Sequence, residues 1–170
     1  MTEYLPSYLE GAWWTPSAGS PSTEVRDAST GELVTRVSTT GLDLAAALVH
    51  ARAVGQASLA ALTFHQRAVL LKQFALALTA RKDELYALSA RTGATAADSW
   101  VDIDGGIGVL FSYSGKGRRE LPNGTVRIDG PVEPLSKDGS FLGRHVYTTL
   151  PGVAVQINAF NFPVWGALEK

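Results

Sequence analysis

The sequence predicts an α/β protein in which three blocks follow one another along the chain. Apolar residues alternate near the start, recur at helical spacing through the middle and alternate again near the end. The final residues are typical of a buried parallel strand, a turn and the start of a helix. On this basis we divide the chain into residues 1–117, 118–150 and 151–170.

Short strands are expected in the first block. Val25–Asp27 and Leu33–Val37 flank Ser29-Thr30-Gly31, a pattern typical of a hairpin in which Gly31 takes a positive φ. Trp13 and Trp14 are adjacent in an aromatic-rich segment. The tryptophan pair is compatible with a stacking site, but packing at a sheet edge is the favoured interpretation.

Helices are expected from residue 40 to residue 117. Thr40-Gly41-Leu42-Asp43 and Thr63-Phe64-His65-Gln66 resemble capping boxes, and each precedes apolar residues at helical spacing. A shorter helix begins at Asp83 and stops at Thr92-Gly93. Behind the second capping box the expected apolar stripe consists of four residues, Leu70, Leu71, Phe74 and Leu78.

A fourth predicted helix begins at Ala96 and ends at Gly115-Lys116-Gly117. Two glycine-containing segments of this helix resemble phosphate-binding loops, Gly105-Gly106-Ile107-Gly108 and Ser114-Gly115-Lys116-Gly117. Neither segment keeps the spacing that such a loop requires, and neither follows a strand. We expect them to permit close helix packing instead. The carboxylates of this helix are expected to form a solvated or capping face: Asp98, Asp102 and Asp104.

The last fifty residues return to a strand-like pattern. Thr125–Ile128 and Arg144–Thr149 alternate as strands, with Pro131–Pro134 separating them. Val153–Ile157 is the expected buried strand, and Val164–Lys170 the expected helix. A parallel strand needs a neighbour delivered by the crossover, so we expect this βα unit to be incomplete and the chain to be truncated.

Composition and charge exclude several classes of function. Of the 170 residues, 45% are apolar and 18% charged, with 15 basic and 16 acidic side chains and a net charge of −1. No basic stripe or acidic tail gives a reason to expect nucleic acid or anionic lipid as a partner. The opening residues do not resemble a signal peptide, and no apolar run approaches the ~20 residues of a membrane span. We therefore expect a cytoplasmic protein without a membrane partner.

The sequence contains no cysteine. Disulfides, cysteine metal ligands and a thiol nucleophile are therefore excluded among these residues. The three histidines, His50, His65 and His145, have no partner at ligand spacing, so no metal site is expected. No G-x-S-x-G turn supports a serine nucleophile.

Asn161 is the strongest candidate for chemistry. It lies between the expected buried strand and a helix that could begin at Pro163, a favoured first helical residue. An amide side chain would then stand at the carboxyl edge of a sheet, where α/β proteins bind their ligands. Spacing alone leaves a second hypothesis open and favours it, namely that Asn161 caps the helix.

Around this residue the chain resembles the aldehyde dehydrogenase superfamily, whose members carry a proline-tryptophan-asparagine-phenylalanine-proline turn after the first strand of the coenzyme domain. The turn here is Ala159-Phe160-Asn161-Phe162-Pro163. Its Asn-Phe-Pro core matches, whereas Ala159 and Phe160 replace the usual proline and tryptophan. This departure puts the exact coenzyme contacts in doubt.

Within this superfamily the chain is similar to the ring-opening semialdehyde dehydrogenases of phenylacetate degradation. The likeness is strong at Tyr86–Thr95, Asp98–Gly108 and Ile157–Pro163. Gly41–Asp43 and Arg119–Pro122 fit as well, so it covers essentially the whole chain. The related semialdehyde dehydrogenases of benzoyl-CoA degradation share several of these segments and are the alternative.

The resemblance implies the N-terminal part of the aldehyde dehydrogenase fold. Residues 1–117 would supply a β-hairpin and the helical part of the coenzyme domain, residues 118–150 an oligomerisation arm, and residues 151–170 the first βα element of a Rossmann-like sheet. The parent enzyme would oxidise a CoA-linked semialdehyde to the acid and pass hydride to NADP or NAD. The family's cysteine nucleophile, glutamate base, coenzyme lysine and Gly-rich turn belong beyond Lys170. We therefore expect this chain alone to be inactive and to bind no coenzyme tightly.

Site residues follow from the same resemblance. In the family a cysteine thiolate attacks the aldehyde carbonyl, and the oxyanion that forms needs a hydrogen-bond donor. Asn161 matches the asparagine that supplies one, and losing such a donor typically costs about 3–4 kcal/mol. The positions that border the coenzyme are Ile157, Asn158, Ala159 and Phe160. The positions that line the substrate tunnel are Phe162, Trp165, Gly166 and Glu169.

The resemblance also implies a homo-oligomer formed through residues 125–149. Two other functions are considered beside the enzyme fragment. One is a free-standing, non-catalytic module that keeps the oligomerisation arm and binds a partner chain. The other is a small nucleotide-binding domain, for which a half-built βα unit is poor support.

Overall fold

The computed structural model describes residues 4–170, and its elements follow the predicted order of strands, helices, strands and a final helix. The strands are β1 Ser7–Leu9, β2 Ala12–Trp14, β3 Thr23–Arg26, β4 Leu33–Val37, β5 Arg127–Pro134 and β6 Leu142–Tyr147. The helices are α1 Leu44–His50, α2 Ala57–Ala60, α3 Phe64–Thr79, α4 Lys82–Ala90, α5 Ala96–Arg119 and α6 Pro163–Glu169. A π-helical stretch, Ala51–Gln56, joins α1 to α2. The chain is therefore a mixed α/β protein, as predicted.

The strands form three separate two-stranded antiparallel sheets. The predicted hairpin is confirmed as β3 and β4, with Gly31 at φ 73° in the turn between them. The Asp27 carboxylate closes this turn by accepting hydrogen bonds from the backbone N–H groups of Ser29 and Thr30. An Asx turn and a glycine with positive φ thus fix the register of the hairpin.

The two adjacent tryptophans lie in β2, opposite β1. Trp13 is largely exposed and meets the ring of Tyr8 edge-on, with the ring centroids 5.0 Å apart. Trp14 is half-buried. This contact between paired strands agrees with the interpretation of the tryptophans as edge packing.

Two capping boxes were predicted, and the structure confirms the one at Thr63. At α3, Thr63 accepts from Gln66 N at 3.2 Å while the Gln66 side chain accepts from Thr63 N at 2.9 Å. The predicted start at Asp83 and stop at Gly93 fit α4, since Gly93 takes φ 83°. The box assigned to Thr40 is wrong, because the N-cap of α1 is Asp43, which accepts from Ala46 N. An Asp one position before the helix reaches that N–H more directly than a residue three positions further back.

Helix α5 is the centre of the core. Its buried residues Ile103, Ile107 and Leu110 recur at helical spacing on one face and contact Ala75 of α3. Helices α3 and α5 make extensive contact, as do α5 and α6. The half-buried residues that surround this cluster come from three helices: Leu71, Leu78, Leu85, Tyr86, Val164 and Leu168.

The predicted apolar stripe of α3 is half correct. Leu71 and Leu78 pack against the core, whereas Leu70 and Phe74 are exposed. The residues of α3 that are fully buried are instead the small Ala68 and Ala75. Small side chains let the backbones of α3 and α5 approach closely, which turns the larger residues at neighbouring positions away from the interface.

The end of α5 and the path of the following ribbon differ from the prediction. The helix continues through Gly115–Gly117 to Arg119. Gly117 lies within it and faces Ala68 of α3, where a Cβ would lie 3.1 Å from the alanine Cβ. The segment Pro131–Pro134 lies within β5 and does not separate two strands. A register shift between Asp129 and Glu133 accommodates Pro131, whereas Pro134 lies opposite Leu142.

Val153–Ile157 does not form the expected buried strand. The segment has no regular secondary structure, and Val155 and Ile157 are 75% and 88% exposed. The physical reason is that a parallel strand needs a neighbour for its backbone N–H and C=O groups, and no strand within residues 4–170 pairs with it. The helix expected after it does form, and its Val164 and Leu168 pack against the core.

Within residues 4–170, no one helix combines the length and the apolar composition that crossing a membrane requires. The segment Leu44–Ala60 and helix α3 meet the requirement only when taken together, and they are bent by 110° with respect to each other.

Candidate functional site

The turn that carries Asn161 is exposed and precedes α6 directly. Phe160 and Asn161 form the turn, Phe162 is the N-cap residue and Pro163 is the first helical residue, as predicted. No side chain at the N-cap position bonds to the helix. The capping hypothesis for Asn161 is therefore wrong, because its exposed amide lies one residue before the cap and bonds to no N–H of α6.

Asp102 of α5 takes the place of that cap. Its two carboxylate oxygens accept hydrogen bonds from the backbone N–H groups of Val164 at 3.2 Å and Trp165 at 2.7 Å. The residue is only 3% exposed. Of the two expected roles, solvated or capping, Asp102 takes the capping one, and the N–H groups at the start of α6 provide the partners that make burial of the charge tolerable.

Two glycines of α5 allow α6 to approach this closely. A Cβ on Gly106 would lie 2.9 Å from Trp165 Cα, and a Cβ on Gly105 would overlap the indole ring of Trp165. A Cβ on Gly108, two residues after Gly106, would meet no atom within 4 Å. The prediction that these glycines serve helix packing is confirmed for Gly105 and Gly106.

The neighbouring carboxylate, Asp104, is bound to α4. It forms an ion pair with Lys82, and the Tyr86 hydroxyl donates to Asp104 Oδ2 at 2.6 Å. Desolvation raises the pKa of Asp104, but the bonds from Lys82 and Tyr86 outweigh it and hold that pKa below its usual value. The bond to Asp104 raises the pKa of Tyr86 to about 12. The charges on this part of α5 are therefore all paired or capped.

A cleft of about 370 Å³ opens beside the turn. Its walls are Val101, Ala159, Phe162, Trp165, Gly166, Glu169 and Lys170. All four positions predicted to line a substrate tunnel are among them, so the structure brings these side chains together. Trp165 Nε1 donates to Glu169 Oε2 at 3.1 Å, which holds the indole against one wall.

Of the residues predicted to border a coenzyme, Ala159 lines the cleft, and Ile157, Asn158 and Phe160 are not among its walls. Ile157 and Phe160 are 88% and 89% exposed, whereas Asn158 is half-buried and packs against Gly166. The Asn158 Oδ1 atom is buried without a hydrogen-bond partner. The exposed apolar side chains of Ile157 and Phe160 fit one edge of a site for a nicotinamide coenzyme. The segment from Val153 to Phe162 contains no glycine and no basic residue for the phosphates, so other parts of a protein must hold them.

A larger cavity, about 720 Å³, lies between α3, α5 and the end of α6. Arg67 lines it and stacks over the ring of Phe64, with its guanidinium carbon 4.7 Å from the ring centroid. Among the predicted site residues only Glu169 reaches this cavity. Within residues 4–170, no group of three His, Asp or Glu side chains is arranged to hold a metal ion.

Comparison with known proteins identifies the family. The sequence profile described as "Aldehyde dehydrogenase family" matches residues 14–170. The chain belongs to the aldehyde dehydrogenase family. The predicted resemblance is thereby confirmed, and the mixed α/β architecture agrees with part of the aldehyde dehydrogenase fold.

A curated relative in this family is the 3,4-dehydroadipyl-CoA semialdehyde dehydrogenase of Aromatoleum evansii. It is 42% identical over 167 residues, which is 98% of this chain and 32% of the relative. This aldehyde dehydrogenase segment therefore spans about a third of the length of that relative.

Sequence reasoning missed two residues of this site, Val101 and Asp102. Val101 lines the cleft, and Asp102 holds the helix that forms its wall. A signal for Asp102 existed: it falls on the same helical stripe as Ser99, Gly106 and Leu110, all of them buried. An aspartate on the buried stripe of a helix has to find donors in a neighbouring element.

Proposed function

We propose that this chain forms the N-terminal part of an NAD(P)-dependent dehydrogenase that oxidises a CoA-linked semialdehyde to the acid. Membership of the aldehyde dehydrogenase family supports the reaction, and the similarity to a CoA-semialdehyde dehydrogenase supports the substrate class. The observation that carries the proposal is the exposed Asn161 amide, which stands between Ala159 and Phe162, two residues that line the cleft.

In this proposal Asn161 is the hydrogen-bond donor to the oxygen of the reacting aldehyde. Attack on the carbonyl carbon places negative charge on that oxygen, and a preorganised amide N–H stabilises it. Phe162, Trp165 and Gly166 form an apolar wall that excludes water from the aldehyde. An exposed amide without a competing bond to α6 is free to serve this purpose.

The coenzyme would border the exposed face of the turn. Ile157, Asn158, Ala159 and Phe160 would form that edge, with the exposed side chains of Ile157 and Phe160 as its apolar surface. NAD or NADP, when bound, supplies the hydride acceptor for the oxidation. The nucleophilic thiol and the phosphate contacts have to come from residues outside this chain, since it contains no cysteine. We therefore expect the isolated chain to be inactive and to bind coenzyme weakly.

Phenylacetate degradation is the pathway we propose, with benzoyl-CoA degradation as the alternative. Both give a CoA-linked semialdehyde, and a cytoplasmic location would suit both. Turnover of semialdehydes of each type by the full-length enzyme, compared as kcat/KM, distinguishes the two.

An oligomerisation or binding module is the second candidate function, and the β5–β6 ribbon favours it. Ile128, Val146 and Tyr147 are each about half exposed on a ribbon whose main contacts are internal. Exposed apolar ribbons of this kind are typical of a surface that pairs with another chain. We propose residues 125–149 as the contact of a homo-oligomer, which sedimentation of the chain with and without this segment tests.

The test of the enzymatic proposal is Asn161→Ala in the full-length enzyme. We expect kcat to fall about 10²–10³-fold, as for the loss of an oxyanion donor. KM should change little, because the bond strengthens only as charge develops on the oxygen.

A matched control is Asn123→Ala. The Asn123 side chain accepts from the Thr63 hydroxyl at the start of α3, away from the cleft. This variant should keep the wild-type kcat. A wild-type kcat in Asn161→Ala would contradict the proposed role of Asn161.

A further inference from the structure

We propose that Asp102 is a positioning residue for Asn161, acting through the first turn of α6. The inference rests on the function proposed above for Asn161. It follows from the hydrogen bonds of a buried carboxylate, the start of α6 and the short link between that start and the turn.

The first step is the chemistry of the cap. A helix leaves its first N–H groups without partners inside the helix, and an N-cap side chain usually satisfies one of them. Phe162 occupies the N-cap position of α6 and has no acceptor. The bonds from Val164 and Trp165 go to Asp102 instead, which is 62 and 63 residues away along the chain. A residue of another helix therefore decides where α6 begins.

The second step is the distance along the chain. Only Phe162 and Pro163 lie between Asn161 and the two N–H groups that Asp102 holds. Proline fixes its own φ near −65°, which removes freedom from this short link. Holding Val164 and Trp165 therefore limits the directions in which the Asn161 turn can leave the helix.

The third step concerns alternatives for holding the turn. The Asn161 side chain is exposed and makes no bond to α6, so it cannot fix its own position by capping. The preceding segment Val153–Ile157 has no regular structure. The start of α6, fixed by Asp102 and seated against Gly106, is the rigid element next to Asn161.

The experiment has two arms, and both use Asp102→Ala and Asp102→Asn with Asp83→Ala as the control. Asp83 is an exposed carboxylate in the first turn of α4, so its removal changes the net charge equally without touching α6. In the first arm, hydrogen exchange is measured at the Val164 and Trp165 amides of the 170-residue chain. We expect faster exchange in Asp102→Ala, partial rescue in Asp102→Asn through its remaining carbonyl oxygen, and no change in Asp83→Ala.

The second arm measures kcat and KM of the same variants in the full-length enzyme. A misplacement of about 1 Å can lower a rate about 10²-fold, so Asp102→Ala should lower kcat by roughly 10- to 100-fold with little change in KM. The kcat of Asp102→Asn should lie between that of Asp102→Ala and that of the wild type. In the double variant with Asn161→Ala, Asp102→Ala should lower kcat hardly any further, because the amide that Asp102 positions has already been removed. A residue that acts only on stability would change the fraction of folded enzyme equally in both backgrounds.

The outcomes separate this inference from the proposed function. If Asn161→Ala lowers kcat while folded Asp102→Ala or Asp102→Asn keeps the wild-type kcat despite faster exchange, the cap exists but does not position Asn161, and the inference is wrong. If the two single-variant losses in kcat multiply in the double variant of Asp102→Ala and Asn161→Ala, the inference is wrong as well. If Asp102→Ala does not fold, the same comparison is made with Asp102→Asn alone. A wild-type kcat in Asn161→Ala would remove both the proposed function and this inference.

Discussion

Helix α5 and the β5–β6 ribbon differ in how they dispose of their apolar side chains. One face of α5 buries Ile103, Ile107 and Leu110 between α3 and α6. The ribbon buries none of its residues and makes its main contacts within itself. The difference teaches that the buried apolar contacts of these two regions lie in the helical layer, whereas the ribbon leaves its apolar side chains exposed.

The largest effect that would test this comparison is a cavity in the helical layer. Ile103 is 0% exposed, so Ile103→Ala should lower the free energy of unfolding by about 2–5 kcal/mol. Ile128→Ala in the ribbon removes the same atoms from a half-exposed side chain and should cost far less. Urea unfolding of both variants measures the difference, and equal losses would show that the ribbon is part of the same core.

A smaller effect is expected where α5 meets α6. Gly106→Ala places a Cβ 2.9 Å from the Trp165 backbone, and such overpacking should cost about 1–3 kcal/mol. Gly108→Ala is the matched control, because a Cβ there meets nothing and alanine favours a helix by up to about 1 kcal/mol. Thermal unfolding should therefore shift in opposite directions for the two variants. A stabilised Gly106→Ala would mean that α6 is not closely seated on α5.

The smallest effect concerns pH and the Asp104 network. The pKa of Asp104 is lower in the folded chain than its usual value, because the bonds from Lys82 and Tyr86 outweigh desolvation. Its contribution to stability is therefore present above the usual carboxyl pKa and is lost as the pH falls through the lowered value. Tyr86→Phe removes the 2.6 Å bond to Asp104 and should lower the free energy of unfolding at neutral pH by less than Ile103→Ala or Gly106→Ala does.

Unfolding free energies measured between pH 6 and pH 2 check this expectation. Tyr86→Phe should lose less stability on acidification than the wild type does. Tyr113→Phe is the control, since Tyr113 is an exposed tyrosine of α5 and makes no such bond. Parallel pH curves for Tyr86→Phe and the wild type would show that the network does not lower the pKa of Asp104.

Local patterns were enough to predict much of the fold. The Thr63 capping box, the Gly31 hairpin and the stop at Gly93 were all predicted correctly, since each depends on residues within a few positions of one another. The asparagine turn before Pro163 was recognised for the same reason. The hydrogen-bonding partners of such motifs lie within the motif itself, so their structure can be predicted without knowledge of the tertiary fold.

The errors fall where an element depends on a distant partner. Val153–Ile157 has the composition of a buried strand, but strands pair, and no strand in the described residues pairs with it. Asp102 was expected on a solvated or capping face, but no local pattern indicated that the helix it caps is the distant α6. Leu70 and Phe74 were expected in the interface of α3 but are exposed, and the smaller Ala68 and Ala75 of the same helix are buried there.

The sequence by itself determined the family, the order of the elements and the position of the Asn161 turn, because each of these depends on motifs formed by neighbouring residues. Only the tertiary structure decided that Asp102 caps α6 and that the predicted tunnel residues Phe162, Trp165, Gly166 and Glu169 share one cleft with Val101. The physical reason is that the partners of a buried charge, and the walls of a cleft, come from segments about sixty residues apart, which no local pattern relates.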